Sequence, residues 1–415
     1  MRHFLRYSII IALACLFNPL MGNAQIQKIY LLPKAPGTEK QSKFIDSISF
    51  TPLEIKDGIG LGSYSYMEVT NDNFLLFDYT NKTILLYDRN GKFIHQINYK
   101  KLGDGFYPNY YEDLNRISFF GNNKNYALTP KDRIQIKLDY KNPRNQKYFK
   151  QYFIDLKDTT YTIQKGTVDE NNIVGAQPFY GNYYWQGEIS TSELFKDSME
   201  HEVKIYENKK LVQSYFPYNR INEPRYLYTQ ENVARHRTDS PHVNFITRPY
   251  CDTIYKLDRD KMKPVYHLVI PLENSVPPSL FTTPFKNKTE RENFERNNGW
   301  AVRQVYNFHE TPRFLFFAIR FFSNFETYVY QKQGNITYKT KSIKADSSQY
   351  NLQLLDNNTL RKGDRLYKPQ KAGDLVTFFE QHKDIPVPKE LDAFIKQKPH
   401  PASPVIVAFK LKTQP

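Results

Sequence analysis

Cysteine is nearly missing from this chain: of 415 residues only Cys15 and Cys251 carry a thiol. Cys15 falls in a stretch read below as a leader, so the mature chain keeps one cysteine and no internal disulfide. Its fold must stand on its own core, even at an oxidising destination. Glycine is also scarce, 17 in all, which excludes a collagenous or low-complexity chain. No apolar run reaches the roughly 20 residues of a membrane span. Catalytic signatures are missing as well: there is no G-x-S-x-G elbow, H-E-x-x-H, paired C-x-x-C, phosphate loop or acidic EF-hand loop. Asp169-Glu170-Asn171-Asn172 reads as a turn, and Gly58-Ile59-Gly60-Leu61-Gly62 lacks the following helix that a dinucleotide site needs. No cofactor and no metal are expected.

What the chain has in quantity is tyrosine and phenylalanine, 32 and 30 residues, within a hydrophobic fraction of 40%. That is enough apolar surface for a real core, and these side chains suit pleated, half-buried strands. The net charge is +15, from 58 basic against 43 acidic residues. The basic residues are scattered, and the densest stretch, 137–150, alternates charge with Tyr, Asn and Phe. No zinc-finger spacing, RNP-like motif or helix-turn-helix pattern accompanies them, so nucleic acid is not an expected partner. An anion-binding face and a merely solvated surface both remain open.

The first residues set the compartment. Arg2 and Arg6 precede an almost unbroken apolar run over 7–17, Asn18-Pro19 breaks any helix, and Gly22-Asn23-Ala24 offers small residues for cleavage. Residues 1–24 therefore read as an export signal. Ala12-Leu13-Ala14-Cys15 is a poor lipobox, which leaves two routes open: a soluble periplasmic chain, or a lipoprotein anchored through Cys15 at the outer membrane. Residues 25–43 then form an N-terminal extension and 44–415 the folded domain, expected to act as a monomer.

Strands and turns fill that domain. The clearest unit is 74–97, where Phe74-Leu75-Leu76-Phe77-Asp78, Thr83-Ile84-Leu85-Leu86-Tyr87-Asp88 and Phe93-Ile94-His95-Gln96-Ile97 are separated by turns, the second of them Arg89-Asn90-Gly91-Lys92. Asn-Gly between alternating apolar runs is a strong hairpin signal, because both positions need positive φ. Similar pairs recur at 203–215, 253–268 and 327–338, with marker tyrosines Tyr87, Tyr206, Tyr255 and Tyr330. The first gap between markers is about twice the length of one four-stranded unit, which points to six units closed radially, an all-β six-bladed β-propeller. Closure requires the strand near 405–409 to lie beside an N-terminal one, around 28–32 or 48–53. Cys251 falls in an expected strand, 250–255, as a buried structural thiol. Helices are expected only at 288–298, with Phe294 as its apolar anchor, and at 374–382 and 388–397.

Residues 44–54 (FIDSISFTPLE) together with the 74–97 unit resemble the opening of secreted bacterial six-bladed β-propeller proteins with NHL-like repeats, a group mostly without assigned function. Asp252-Thr253-Ile254-Tyr255-Lys256-Leu257 is similar to their mid-chain blade, and 403–412 to their closing strand. That group usually carries a Gly-x-Gly-Pro-Gly-Glu-Tyr-like loop after the first hairpin. Here the loop is Gly103-Asp104-Gly105-Phe106-Tyr107-Pro108, and any role of the missing acid does not carry over. The resemblance implies a fold and an export route, and no catalytic residue.

One local constellation carries chemistry: Arg235, His236, Arg237, Asp239 and His242, just before the apolar run 243–247. Guanidinium groups clamp anions, and imidazoles ligate or shuttle protons. Read as a loop at one end of the central channel, it supplies cations to an anionic ligand; read plainly, it is a polar connection between strands. Binding is expected to weaken with salt, and above about pH 6.5 if His236 or His242 must be protonated. Phe179-Tyr180-Gly181-Asn182-Tyr183-Tyr184-Trp185 either stacks sugar rings or packs between blades. The functional expectation is an exported, non-catalytic propeller that binds a glycan, a peptide or an envelope protein. The alternative is a lactonase-, lyase- or hydrolase-like enzyme with its site in the central channel.

Overall fold

The structure is a computed structural model that describes residues 26–31, 39–54, 65–103, 106–122, 149–166, 176–187, 189, 199–208, 210–219, 222–229, 231–356 and 359–413. The export signal, the glycine-rich segment 58–62, most of the basic stretch 137–150 and the acidic turn 169–172 lie outside the described residues.

Six antiparallel sheets form the blades of a β-propeller. Blade 1 is Ser65–Val69, Asn73–Asp78, Thr83–Asp88 and Phe93–Asn98; blade 2 is Tyr107–Tyr111, Arg116–Asn122, Phe149–Asp155 and Gln164–Gly166. Blade 3 is Gln177–Tyr180, Tyr183–Gln186, Glu200–Glu207 and Lys210–Tyr218; blade 4 is Ala234–Arg237, Val243–Thr247, Thr253–Asp258 and Lys261–Val269. Blade 5 is Val302–Glu310, Phe314–Phe321, Phe325–Gln331 and Ile336–Lys339. Blade 6 joins the chain ends, in the order Leu360–Lys362, Arg365–Lys371, Pro404–Leu411 and then Ile45–Pro52.

The marker tyrosines Tyr87, Tyr206, Tyr255 and Tyr330 each sit on the third strand of a blade, and the long first gap contains blade 2. Closure runs through the second of the two expected segments: Ile48, Phe50 and Pro52 pair with Phe409, Val407 and Val405. The first segment does something else. Gln27–Tyr30 adds a parallel strand to the outer edge of blade 4, Ile29 opposite Leu268. The Asn90-Gly91 hairpin abuts Ile45–Pro52, the N-terminal strand of blade 6. Gly91 has φ +86°, and a Cβ there would meet the Pro52 carbonyl oxygen at 2.2 Å, so glycine is required twice over.

Strand alternation explains why the central strands read as unbroken apolar runs. In a propeller both faces of a blade are covered, so successive side chains serve two different neighbours. Leu75, Phe77, Ile84 and Leu86 pack towards blade 2 with Ile117, Phe119 and Ile154. Phe74, Leu76 and Leu85 pack the other way, against Tyr367, Ile406 and Ala408 of blade 6. Val405, Val407 and Phe409 face Phe314 and Phe316 of blade 5, whose Leu315 and Phe317 turn to Phe245 and Ile254 of blade 4.

Among the described residues helix is confined to a few insertions. Ser279–Thr282 and Lys288–Asn297 connect blades 4 and 5, and Asn287 caps the second by accepting from the Glu290 amide. Phe294 is only part of that helix's anchor: Arg291 is 1% exposed and bonds Tyr250, the Arg225 carbonyl and Glu295. Ala372–Gln381 and Lys389–Lys396 interrupt blade 6 and bury Leu375, Phe379 and Leu391 against it. Cys251 lies just before its strand, half-buried, with its thiol 3.9 Å from the Thr253 carbonyl.

Candidate functional site

The first strand of every blade is the innermost, and residues of all six line one central cavity of about 570 Å³, within the usual range for small-ligand sites. Glu68 comes from blade 1, Tyr110 from blade 2, Gln177 from blade 3, Arg235 from blade 4, His309 from blade 5 and Arg361 from blade 6. A second chamber of about 580 Å³ lies where the first strands turn into the second ones, and shares Glu112, Arg237, Thr238, Lys362 and Gly363 with the first.

The Arg235 region is not the loop expected from sequence. Ala234–Arg237 is the inner strand of blade 4, paired with Val243–Thr247, and only residues from Thr238 onward turn. Alternation therefore sends the Arg235 and Arg237 side chains to one side of the strand and the His236 ring to the other, although all three residues border the central cavity. Arg235 keeps some surface open to the channel, yet protein surrounds it. Among the described residues nothing forms a hydrogen bond or ion pair with its guanidinium, which lies over the Phe179 ring, 5.7 Å from the centroid. Burial, and then repulsion from Arg237, push its pKa down to about 9; Asp113 and Glu112 pull the other way. A cation so placed gains from any anion that reaches it.

Arg237 is already partnered. It pairs with Glu112 and has Asp113 at 3.6 Å, while Lys362 of blade 6 bonds the other Glu112 oxygen. Asp239 pairs with Arg361 at 2.5 Å, and Arg361 also donates to the Arg237 carbonyl. Burial works to raise the Glu112 carboxyl, but Arg237 and Lys362 outweigh it and hold it below the usual range. Burial raises the carboxyls of Asp113 and Glu68, against Arg237 in both cases and against a hydrogen bond from Tyr66 at Glu68.

His236 is a structural imidazole. Its Nδ1 accepts from the Phe308 amide at 3.4 Å, so Nε2–H donates to Thr247 Oγ1 at 2.9 Å, which donates to the Val305 carbonyl at 2.7 Å. This relay ties blade 4 to blade 5. Burial pushes its pKa down to about 4, so it is neutral near pH 7 and cannot supply the expected charge. His242 is outside both chambers; its ring lies 5.5 Å from that of Tyr180. Phe179 and Trp185 are buried in the core shared by blades 3 and 4, which fits the packing alternative, yet Trp185 also borders the central cavity, and Phe179 and Tyr180 border the second chamber.

Sequence reasoning missed Glu68, Glu112, His309, Arg361 and Lys362. They lie on or beside first strands of other blades, with nothing local to mark them. His309 follows a bulge in Val302–Glu310, where Asn307 has φ +49°, and the bulge re-aims the residues after it. His309 is 4% exposed, and neither ring nitrogen has a partner among the described residues. Burial and the nearby Arg361 push its pKa down to about 3. Among the described residues no group of three or more His, Cys, Asp or Glu side chains could hold a metal. The site can bind charge and hydrogen-bonding groups.

A Bacteroides fragilis protein whose description conjectures export shares this fold: 13% identity, TM-score 0.58, covering 93% of this chain and 99% of its own. A member of the DUF4221 family from Bacteroides vulgatus aligns with 10% identity and TM-score 0.43, over 90% of this chain and 100% of its own. No curated protein matches the sequence. No helix among the described residues is long and apolar enough to cross a membrane. The sequence profile of one family, a domain of unknown function designated DUF4934, matches residues 33–410, and the chain belongs to that family.

Proposed function

We propose that this chain is an exported, non-catalytic binding protein whose central channel takes an acidic ligand: a glycan, a peptide or a segment of an envelope protein bearing an anionic group. The observation that carries this reading is Arg235, a guanidinium inside the channel with no partner among the described residues. Buried charges are ordinarily paired, and a carboxylate, sulfate or phosphate would meet the fork of Arg235 with two parallel hydrogen bonds. The leader at 1–24 supports export, to the periplasm or, through Cys15, to the outer membrane. In this reading 25–43 is an extension and 44–415 the binding domain, acting as a monomer.

The test is a matched panel followed by thermal shift and calorimetry: sulfate, phosphate, galacturonate and an acidic dipeptide, each beside an uncharged counterpart. The acidic probes are expected to raise the melting temperature, with affinity falling as salt rises. Equal binding of the uncharged counterparts would overturn the reading.

A further inference from the structure

The two chambers meet at an ion-pair bridge between three blades: Glu112 of the turn after the first strand of blade 2, Arg237 of blade 4 and Lys362 of blade 6. All three residues line both chambers, so the bridge is the partition between them. Among the described residues Glu112 is the one acid in contact with two channel cations. Its position is also the one an incoming anion would need in order to reach Arg237 and Lys362.

The same protein shows what a permanent ion pair looks like. Glu202 is 1% exposed, takes two hydrogen bonds from Arg248 at 2.7 and 2.6 Å, and accepts a third from Tyr226. Glu112, by contrast, keeps 32% of its side chain exposed and Arg237 keeps 37%. It sits on the short turn Glu112–Leu114, which ends at Asn115 with φ +47°. A partly solvated ion pair of this kind is screened by water, so exchanging Glu112 for another anion costs less than it would at Glu202. Asp113, 3.6 Å from Arg237, stays behind when Glu112 leaves, and Glu68 also faces Arg237 and Lys362. Neither takes the place of Glu112 between the two cations.

We infer that the channel has two anion subsites, one at Arg235 and a second at Arg237 and Lys362 that Glu112 fills as an internal counter-ion, and that the ligand is a diacid whose second acidic group displaces Glu112. This rests on the reading of Arg235 above and extends it from one acidic group to two. Arg235 and Arg237 stand two residues apart on one strand, roughly 7 Å, a separation that successive acids of an acidic oligosaccharide can span.

Sulfate, counted by equilibrium dialysis at low salt, serves as the probe for each subsite. Wild type is expected to bind one sulfate and Arg235→Met none. Arg235→Met/Glu112→Gln is expected to bind one again, and adding Lys362→Met to that pair should remove it. If wild type binds one sulfate through Arg235 but the Glu112→Gln background gains nothing, the second subsite is refuted while the Arg235 reading stands. If wild type binds none but the double variant binds one, the Arg235 reading falls and the counter-ion role of Glu112 survives. Should Glu112→Gln fail to fold, Glu112→Asp, which keeps the charge but draws it back by one methylene, is expected to make sulfate binding detectable in the Arg235→Met background; its continued absence overturns the inference. For the ligand itself, wild type should bind digalacturonate at least tenfold more tightly than galacturonate. Equal affinities, or tighter binding of a diglutamate peptide, would refute the acidic oligosaccharide.

Discussion

Removing residues 402–415 deletes the strand Pro404–Leu411, which closes the ring. Val405, Ile406, Val407 and Phe409 are 0% exposed and Leu411 1%. Burying each such side chain contributes about 1.5–3 kcal/mol, so the strand accounts for roughly 8–15 kcal/mol, comparable to the whole net stability of an ordinary domain. The deletion also strips the pairing partner from both Arg365–Lys371 and Ile45–Pro52. The truncated protein is therefore expected to show no cooperative melting transition by circular dichroism and to aggregate through its opened edges. An internal control exists. Deleting the edge strand Gln27–Tyr30 with Leu31 removes only Ile29 and Leu31 from the core, about 3–6 kcal/mol on the same scale, and leaves the ring closed. That variant should still melt cooperatively, at a lower temperature. A 402–415 deletion that melts at the wild-type temperature, or that is milder than the edge-strand deletion, would refute the closure argument.

Three further outcomes follow from particular groups. His236 titrates near 6.5 when unfolded but near 4 when folded, so the unfolded state binds the extra proton between these values. Its contribution is intact above pH 6.5, and stability is lost as pH falls toward 4, by roughly 3 kcal/mol; His236→Gln should flatten that part of a melting-temperature profile, and an unchanged slope would count against the buried relay. Glu202→Gln leaves Arg248 and Arg225 short of a buried counter-charge, and urea denaturation should show a loss of about 3–5 kcal/mol. Phe409→Ala, in the core between blades 5 and 6, should cost about 3–5 kcal/mol by the same assay.

Much of the fold was legible because blades 1, 3, 4 and 5 present their third and fourth strands as apolar-rich runs joined by short turns. Asn90-Gly91 alone settles one hairpin. Blades 2 and 6 were not legible in this way. Phe149–Asp155 stands far along the chain from Arg116–Asn122, and blade 6 is divided between the two ends and interrupted by Ala372–Gln381 and Lys389–Lys396. The site was half legible. Density of charge drew attention to Arg235 and Arg237, and both line the channel. The local pattern did not reveal that they lie on a strand, which turns His236 into a neutral tie between blades. Nor could any local pattern reveal Glu112, Arg361 or Lys362, which meet Arg237 and Asp239 only because radial closure brings first strands together.

The central claim is that a guanidinium at position 235 holds the acidic group of a ligand. Calorimetric titration at low salt of the tightest acidic probe into wild type, Arg235→Met and Arg235→Lys tests it most directly. With the fold intact by circular dichroism, Arg235→Met should lose more than tenfold in affinity, about 1.4 kcal/mol or more. Arg235→Lys should recover part of that loss, since lysine restores the charge but not the fork. Affinities within twofold of wild type in Arg235→Met would contradict the account.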